Sequence, residues 1–245
     1  MRKTLIIALI LIVCGCDSMT KSKYYNSGQT AFENREYNNA IEYYNSGLRV
    51  DNSDYLDSEL RYGRAYSYFR LRQYDDAKID LFKAINKNKN DYLSHWLLAK
   101  LYEAQNQNQF SLDNYTRAIE INPSPLILSS RGFLLIELRR YSEAIIDFDR
   151  AIELDSNTAY AYNNRALANI KLGFFDKAKQ DLRLSKRYGP DNPYYFKHLA
   201  YYMISNNDID SVCYILNQAE EFGYDNLSSA YDRGDIDSLK NIYCD

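Results

Sequence analysis

Few side chains in this sequence have the types and spacing needed for catalysis. Ser18 and Lys21 place a hydroxyl three residues before an amine, which is a possible nucleophile and base, but they directly follow an N-terminal apolar run. The chain's two histidines, His95 and His198, are too far apart in sequence to indicate a shared metal site, and we expect both to be partly exposed helix residues. No glycine-rich phosphate-binding loop occurs. Because an enzyme needs convergent titratable groups, the sequence predicts a non-catalytic protein without a metal or cofactor.

The N-terminus combines Arg2 and Lys3 with an apolar run over residues 5–13. A helix of this length is about 14 Å long, roughly half of the hydrocarbon thickness of a bilayer. Such a run is too short for a membrane span and is typical of a cleaved signal peptide. We therefore expect residues 1–15 to be removed from the mature protein.

The apolar run ends in Val13-Cys14-Gly15-Cys16, which resembles a bacterial lipobox. The resemblance implies that Cys16 becomes the first mature residue and carries a lipid, and that residues 16–23 form a short tether. It also implies a lipid-anchored protein of the bacterial cell envelope, on either the inner or the outer membrane. An ordinary secretory signal is the open alternative.

Composition limits the class of protein further. Only 9 Gly and 4 Pro among 245 residues argue against an all-β protein with many tight turns. A formal net charge of −3 offers no basic surface for nucleic acid. With Cys16 acylated, Cys213 and Cys244 either form a disulfide in an oxidising compartment or are two small buried side chains.

A repeating pattern of small and large residues covers most of the chain. One small-residue column recurs at intervals of 37, 34, 33, 34 and 34 residues, with a valine in its last copy: Ala40, Ala77, Ser111, Ala144, Ala178 and Val212. Seven residues further on lies a second small column: Gly47, Ala84, Ala118, Ala151, Ser185 and Ala219. Between the two lies a large residue: Tyr44, Leu81, Tyr115, Phe148, Leu182 and Leu216. A third small column begins each copy: Gly28, Ala65, Ala99, Gly132, Ala166 and Ala200. Small residues at these spacings let antiparallel helices approach closely, and the large residue fills the adjacent hole.

These columns resemble those of the tetratricopeptide repeat family. The resemblance implies an all-α fold, a right-handed superhelical α-solenoid of about six helix-turn-helix units with a C-terminal capping helix. It implies the following division of the solenoid over residues 24–226: units at about 21–54, 58–91, 92–125, 125–158, 159–192 and 193–226, followed by a cap over 227–245.

In this family the first helix of each unit lines a concave groove that binds partner segments. Two inner positions per unit follow from the resemblance: Tyr25 and Gln29, Tyr62 and Tyr66, Trp96 and Lys100, Ser129 and Phe133, Asn163 and Leu167, Lys197 and Tyr201. Because Tyr and Trp dominate binding energies at interfaces, we expect Trp96 and Tyr66 to contribute most. Framework packing is the alternative for these aromatic residues.

Chaperone-binding members clamp a carboxylate with Lys and Asn side chains, which Asn164 and Arg165 partly resemble. The clamp is incomplete, because the preceding unit has Ser129 and Phe133.

The sequence therefore predicts a membrane-anchored, non-catalytic scaffold that binds a protein partner in the groove. The predicted groove residues are Tyr62, Tyr66, Trp96, Lys100, Phe133, Asn163, Asn164, Arg165 and Tyr201. By resemblance, partners in the periplasm or at the cell surface include cell-wall hydrolases, outer-membrane or pilus assembly components, and further copies of the chain. A glycan-binding accessory lipoprotein, with aromatic faces stacked on sugar rings, is the second hypothesis.

Overall fold

The structure is a computed structural model that describes residues 20–50, 56–222 and 230–244. The predicted signal peptide, the lipidation site Cys16, the first residues of the tether and residues 227–229 of the cap lie outside these residues. The regular elements in the described ranges are helices: α1 (Lys21–Glu33), α2 (Tyr37–Leu48), α3 (Asp57–Arg70), α4 (Tyr74–Lys87), α5 (Tyr92–Ala104), α6 (Asn108–Ile121), α7 (Pro125–Glu137), α8 (Tyr141–Leu154), α9 (Ala159–Lys171), α10 (Phe175–Tyr188), α11 (Pro193–Ser205), α12 (Val212–Glu221) and α13 (Ala230–Tyr243). None of them has both the length and the apolar composition needed to cross a membrane.

The chain divides into two compact units, the first ending at Lys87 and the second beginning at Asn88. In the first unit, α1 and α2 form one helical hairpin, α3 and α4 form another, and α2 packs against α3. Ala40, Ala65 and Ala77 are fully buried, so the helix backbones lie close together at these points. Tyr44 and Leu81 fill the space beside them.

In the second unit, four hairpins follow in chain order, from α5/α6 to α11/α12. The second helix of each hairpin packs against the first helix of the next one. The predicted large residues Tyr115, Phe148 and Leu216 are fully buried in these contacts. A stack of hairpins in which each covers an apolar face of its neighbour confirms the predicted all-α solenoid class.

Helix α13 covers the last hairpin of the second unit. It packs on α12, and its Ile236 is buried against Phe196 and Leu216. A disulfide joins Cys213 of α12 to Cys244, just after α13. Of the two alternatives left open by the sequence, the structure therefore contains the bonded one.

The turns inside the six hairpins share one backbone feature. In each hairpin a residue between the two helices has a positive φ, a conformation that often ends a helix. The residues are Arg35, Arg72, Asn106, Arg139, Gly173 and Asn207, and they follow one another at the same intervals as the small-residue column. Only Gly173 among these six residues is a glycine. The other five carry a side chain in a backbone conformation that favours glycine.

Candidate functional site

The predicted inner residues of the first unit converge on one cavity of about 190 Å³. Tyr25 and Gln29 line it from α1, and Tyr62 and Tyr66 line it from α3. We call this cavity the inner pocket. Its other lining residues were not among the inner positions predicted from the sequence: Phe32, Glu33, Tyr44, Glu59 and Gly63.

Aromatic rings form the walls of the inner pocket. The ring centroids of Phe32 and Tyr66 are 4.7 Å apart with an angle of 42° between the planes, and those of Tyr62 and Tyr66 are 6.1 Å apart at 52°. The Gln29 side-chain amide donates a hydrogen bond of 2.9 Å to the Tyr25 hydroxyl oxygen. Tilted pairs at these distances are favourable aromatic contacts, so the walls support one another without a ligand.

The floor of the pocket is the ring of Tyr44, which fits between two glycines. A Cβ atom on Gly28 or on Gly63 would lie 2.5 Å from a ring carbon of Tyr44, closer than packed side chains allow. Glycine in the middle of a helix is unfavourable by about 0.5–1 kcal/mol, which makes Gly63 a sequence signal for close packing. Burial raises the pKa of the Tyr44 hydroxyl, and the nearby Tyr25 hydroxyl and Glu33 carboxylate raise it further. The floor is thus a fixed, neutral ring.

The predicted inner residues of the second unit are in a different environment. Trp96 is only 8% exposed, and its indole N–H donates a hydrogen bond of 3.4 Å to the Ser130 hydroxyl on α7. Asn163, Asn164 and Lys197 are also buried. Asn164 donates from its side-chain amide to the carbonyl oxygen of Tyr160, at 3.0 Å. These side chains present little surface to a partner, and their role in binding stays a prediction.

The other predicted inner residues of the second unit are partly accessible. Lys100 lies 3.5 Å from the Glu103 carboxylate, and Phe133 is half-buried. The ammonium of Lys171 lies 4.9 Å from the ring centroid of Tyr201. These contacts do not bring the three predicted residues into one cavity.

Arg165, which resembles part of a carboxylate clamp, pairs with carboxylates of its own chain. Its guanidinium donates two hydrogen bonds to Asp181, at 2.6 and 3.0 Å, and a third to Asp149 at 2.5 Å. Burial lowers the pKa of Arg165, but the hydrogen bonds and charges of the two aspartates outweigh burial and raise it overall. Arg165 thus links α9 to both α10 and α8.

The same arrangement recurs in two other hairpins. Arg64 makes two hydrogen bonds of 2.6 Å to Asp80 and also contacts Asn45, and Arg131 pairs with Asp147 at 2.6 and 2.8 Å. In each pair the aspartate follows the arginine by sixteen residues. The same pair thus occurs at the same place in three repeats. Such a recurrence can be read from the sequence, and it indicates a framework role for these arginines.

The structure corrects the expectation that both histidines are partly exposed. His198 is 2% exposed, and its Nδ1 lies 3.1 Å from the carbonyl oxygen of Asn163. Burial lowers the pKa of His198 to about 3, and the charge of Lys197 adds to the shift, so the ring is neutral at pH 7. His95 lies half-exposed on α5 beside Asn114. In the described residues no group of three or more His, Cys, Asp or Glu side chains is placed to hold a metal ion.

Comparison with known proteins shows where the repeats lie. A tetratricopeptide repeat model matches residues 25–92, and a TPR repeat model matches residues 132–173. Anaphase-promoting complex subunit 3 of Schizosaccharomyces pombe is 26% identical over 158 residues, which cover 64% of this chain and 23% of that protein. The chain spans between 6% and 29% of the length of the first curated relatives that it matches.

Solved structures share the fold. PilW, a type IV pilus biogenesis factor, is similar with a TM-score of 0.64 and 23% identity, over 74% of this chain and 82% of PilW. The pilF protein of Pseudomonas aeruginosa is similar with a TM-score of 0.72 and 13% identity, over 90% of this chain and 97% of pilF. The repeat columns, the stacked hairpins and the two matching models agree: residues 25–92 and 132–173 match tetratricopeptide repeats.

Proposed function

We propose that this protein is a non-catalytic scaffold of the bacterial cell envelope that binds a segment of a partner protein in the inner pocket, while a lipid on Cys16 holds it at a membrane. The observation that carries the proposal is the pocket itself, an open aromatic cavity on the first helices of the first unit. Tyrosine rings supply a large contact area at a low cost in conformational entropy, which suits them to a binding site.

The similar proteins support a scaffold role. One relative is by name a subunit of a multiprotein complex, and one structural neighbour is a type IV pilus biogenesis factor. A partner that takes part in assembly at the cell envelope is therefore the kind that we propose.

The test of the binding site is co-purification of partners with pocket variants. We expect Tyr62→Ala combined with Tyr66→Ala to lose a partner that co-purifies with the wild-type protein from its own cells. Tyr43→Ala is the matched control, because Tyr43 lies on α2 of the same unit, is 39% exposed and does not line the inner pocket. Equal recovery of every partner with the pocket variant and the control would contradict the proposed site.

The proposed anchor rests on the lipobox-like residues and on the disulfide. A Cys213–Cys244 bond fits an oxidising compartment, such as the bacterial periplasm or cell surface. We expect Cys16→Ser to abolish the incorporation of radiolabelled palmitate and to release the protein from membranes. Cys14→Ser should leave both unchanged. Labelling that survives in Cys16→Ser would remove the anchor from the proposal.

A glycan-binding accessory lipoprotein is the second candidate, and the aromatic pocket is again the feature that favours it. The pocket pairs are tilted by 42° and 52°, so these rings do not form parallel faces that could sandwich a sugar. For this reason we rank a protein segment above a glycan. Retention of the protein on a glycan array, lost in the Tyr62→Ala variant, would reverse that order.

A further inference from the structure

The inner pocket combines aromatic walls with acidic groups, and none of the described residues that line it is basic. Two carboxylates line it, Glu33 as the last residue of α1 and Glu59 in the first turn of α3. Both side chains are exposed. Within the described part of the chain, no arginine or lysine pairs with either of them. The pocket therefore offers negative charge that no arginine or lysine of the described residues pairs with.

Both carboxylates act on the tyrosines of the pocket. Burial raises the pKa of Tyr25, and the charge of Glu59 raises it further. Burial likewise raises the pKa of Tyr44, with Glu33 contributing. The two hydroxyls therefore remain neutral, and the negative potential of the pocket comes from the glutamates and from the faces of the rings.

Aromatic faces and carboxylates together are the surroundings that a cation prefers. An ammonium or guanidinium group is attracted to the negative face of a ring, and it forms charge-assisted hydrogen bonds with carboxylates. A cavity of about 190 Å³ has room for one long side chain and not for a folded surface.

We propose that the inner pocket selects a basic side chain, arginine or lysine, within the segment of the partner protein. This inference rests on the proposed function and adds the chemistry of the partner to it. The charge complementarity argues for a cationic residue, whereas the apolar walls alone would accept any large side chain.

The test measures the affinity of the purified full chain for short peptides that differ at one residue. The peptides have the sequence Gly-Ser-Gly-X-Gly-Ser-Gly, with Arg, Lys, Gln or Glu as X, and nuclear magnetic resonance follows the signals of α1 and α3. We expect the Arg and Lys peptides to bind at least fivefold more tightly than the Gln peptide, and the Glu peptide to bind most weakly. Equal affinities for Arg and Gln, or no response of these helices to any peptide, would overturn the inference.

Glutamine variants test whether the carboxylates are responsible. Glu33→Gln combined with Glu59→Gln should remove the preference for Arg over Gln. Glu42→Gln combined with Glu153→Gln makes the same change in net charge at exposed sites that do not line the pocket, and it should leave the preference intact. A preference that survives in the pocket variant would overturn the inference.

The two proposals fail in different ways. If the pocket tyrosines are needed for partner binding and the peptides show no preference, the proposed function stands and the basic residue is wrong. If the peptides show the preference and partners are retained without Tyr62 and Tyr66, the chemistry of the pocket stands and the proposed partner site is wrong.

Discussion

Some inner positions of the first helices are open in the first unit and buried in the second. In the first unit Tyr25, Tyr62 and Tyr66 surround an open cavity, and their rings support one another. In the second unit the equivalent positions hold Trp96 and Asn163, which are buried. The same repeat positions thus line an open cavity in one unit and are buried at Trp96 and Asn163 in the other, so a position in the repeat does not by itself assign a function.

The largest expected effect comes from removing the buried indole. Trp96→Ala should destabilise the second unit by about 4 kcal/mol, because truncating a buried Trp leaves a cavity and removes its contacts. Tyr62→Ala, at a half-buried position, should cost the first unit about 1 kcal/mol or less. Urea unfolding with hydrogen-exchange readout on α5 and α3 separates the two. Equal losses at both positions would contradict the contrast between the units.

Breaking a buried ion pair should have the next largest effect. Arg165→Met leaves the Asp181 carboxylate, 3% exposed, without its two guanidinium hydrogen bonds, and should destabilise the second unit by about 3 kcal/mol. The double variant Arg165→Met with Asp181→Leu should recover most of the loss, because no unpaired charge then remains buried. We propose urea unfolding of both variants at pH 7. A single variant as stable as the wild type would show that Arg165 is available to a ligand instead.

His198 should make the second unit sensitive to acid. Its pKa is about 3 in the folded protein and about 6.5 when unfolded. A histidine held neutral contributes stability above pH 6.5, and this stability is lost as the pH falls towards 3, by up to about 1.4 kcal/mol per pH unit. Lys171, Lys197 and the ring of Tyr201 lie around it.

The check is the free energy of unfolding at pH 7, 6, 5 and 4 for the wild type and for His198→Gln. The carboxylates that titrate below pH 5 are present in both proteins, so the difference between the two curves isolates the histidine. We expect the wild type to lose stability more steeply than the variant. Parallel curves would place His198 in contact with water.

The smallest expected effect concerns the turns, where the two units agree. Arg72→Gly in the first unit and Arg139→Gly in the second should each stabilise the protein by up to about 1 kcal/mol, because glycine adopts a positive φ without steric cost. Lys78→Gly, inside α4, should destabilise by a similar amount and serves as the control for glycine in general. Thermal unfolding measures all three. A loss of stability in Arg72→Gly or Arg139→Gly would show that the arginine side chain matters more than the backbone.

The sequence predicted the framework of the fold better than the site. Small residues such as Ala40 and large ones such as Tyr44 recur at fixed intervals, and their burial depends only on the packing of neighbouring hairpins. The exposure of an inner side chain, in contrast, depends on the side chains that the first helix of the following hairpin places beside it. Trp96 is buried, and its indole N–H donates to the hydroxyl of Ser130 on α7; no spacing within one repeat indicates that contact.

Some features of the site were nonetheless readable. The Arg and Asp spacing of sixteen residues in three hairpins assigns Arg165 to the framework, and Gly63 marks the close approach to Tyr44. The sequence did not predict that Glu33 and Glu59 line one pocket. Each is an ordinary solvated residue by sequence, and only the contact between α1 and α3 brings the two together. The pairing of Cys213 with Cys244 likewise required the position of α13.

The most direct test of the proposed binding site is photo-cross-linking in cells from a benzoylphenylalanine placed at position 62, compared with position 43. We predict a cross-linked partner protein from position 62, lost when Tyr66→Ala is added, and no such product from position 43. Cross-links to the same partner from position 43 alone, or from both positions regardless of Tyr66, would contradict the account.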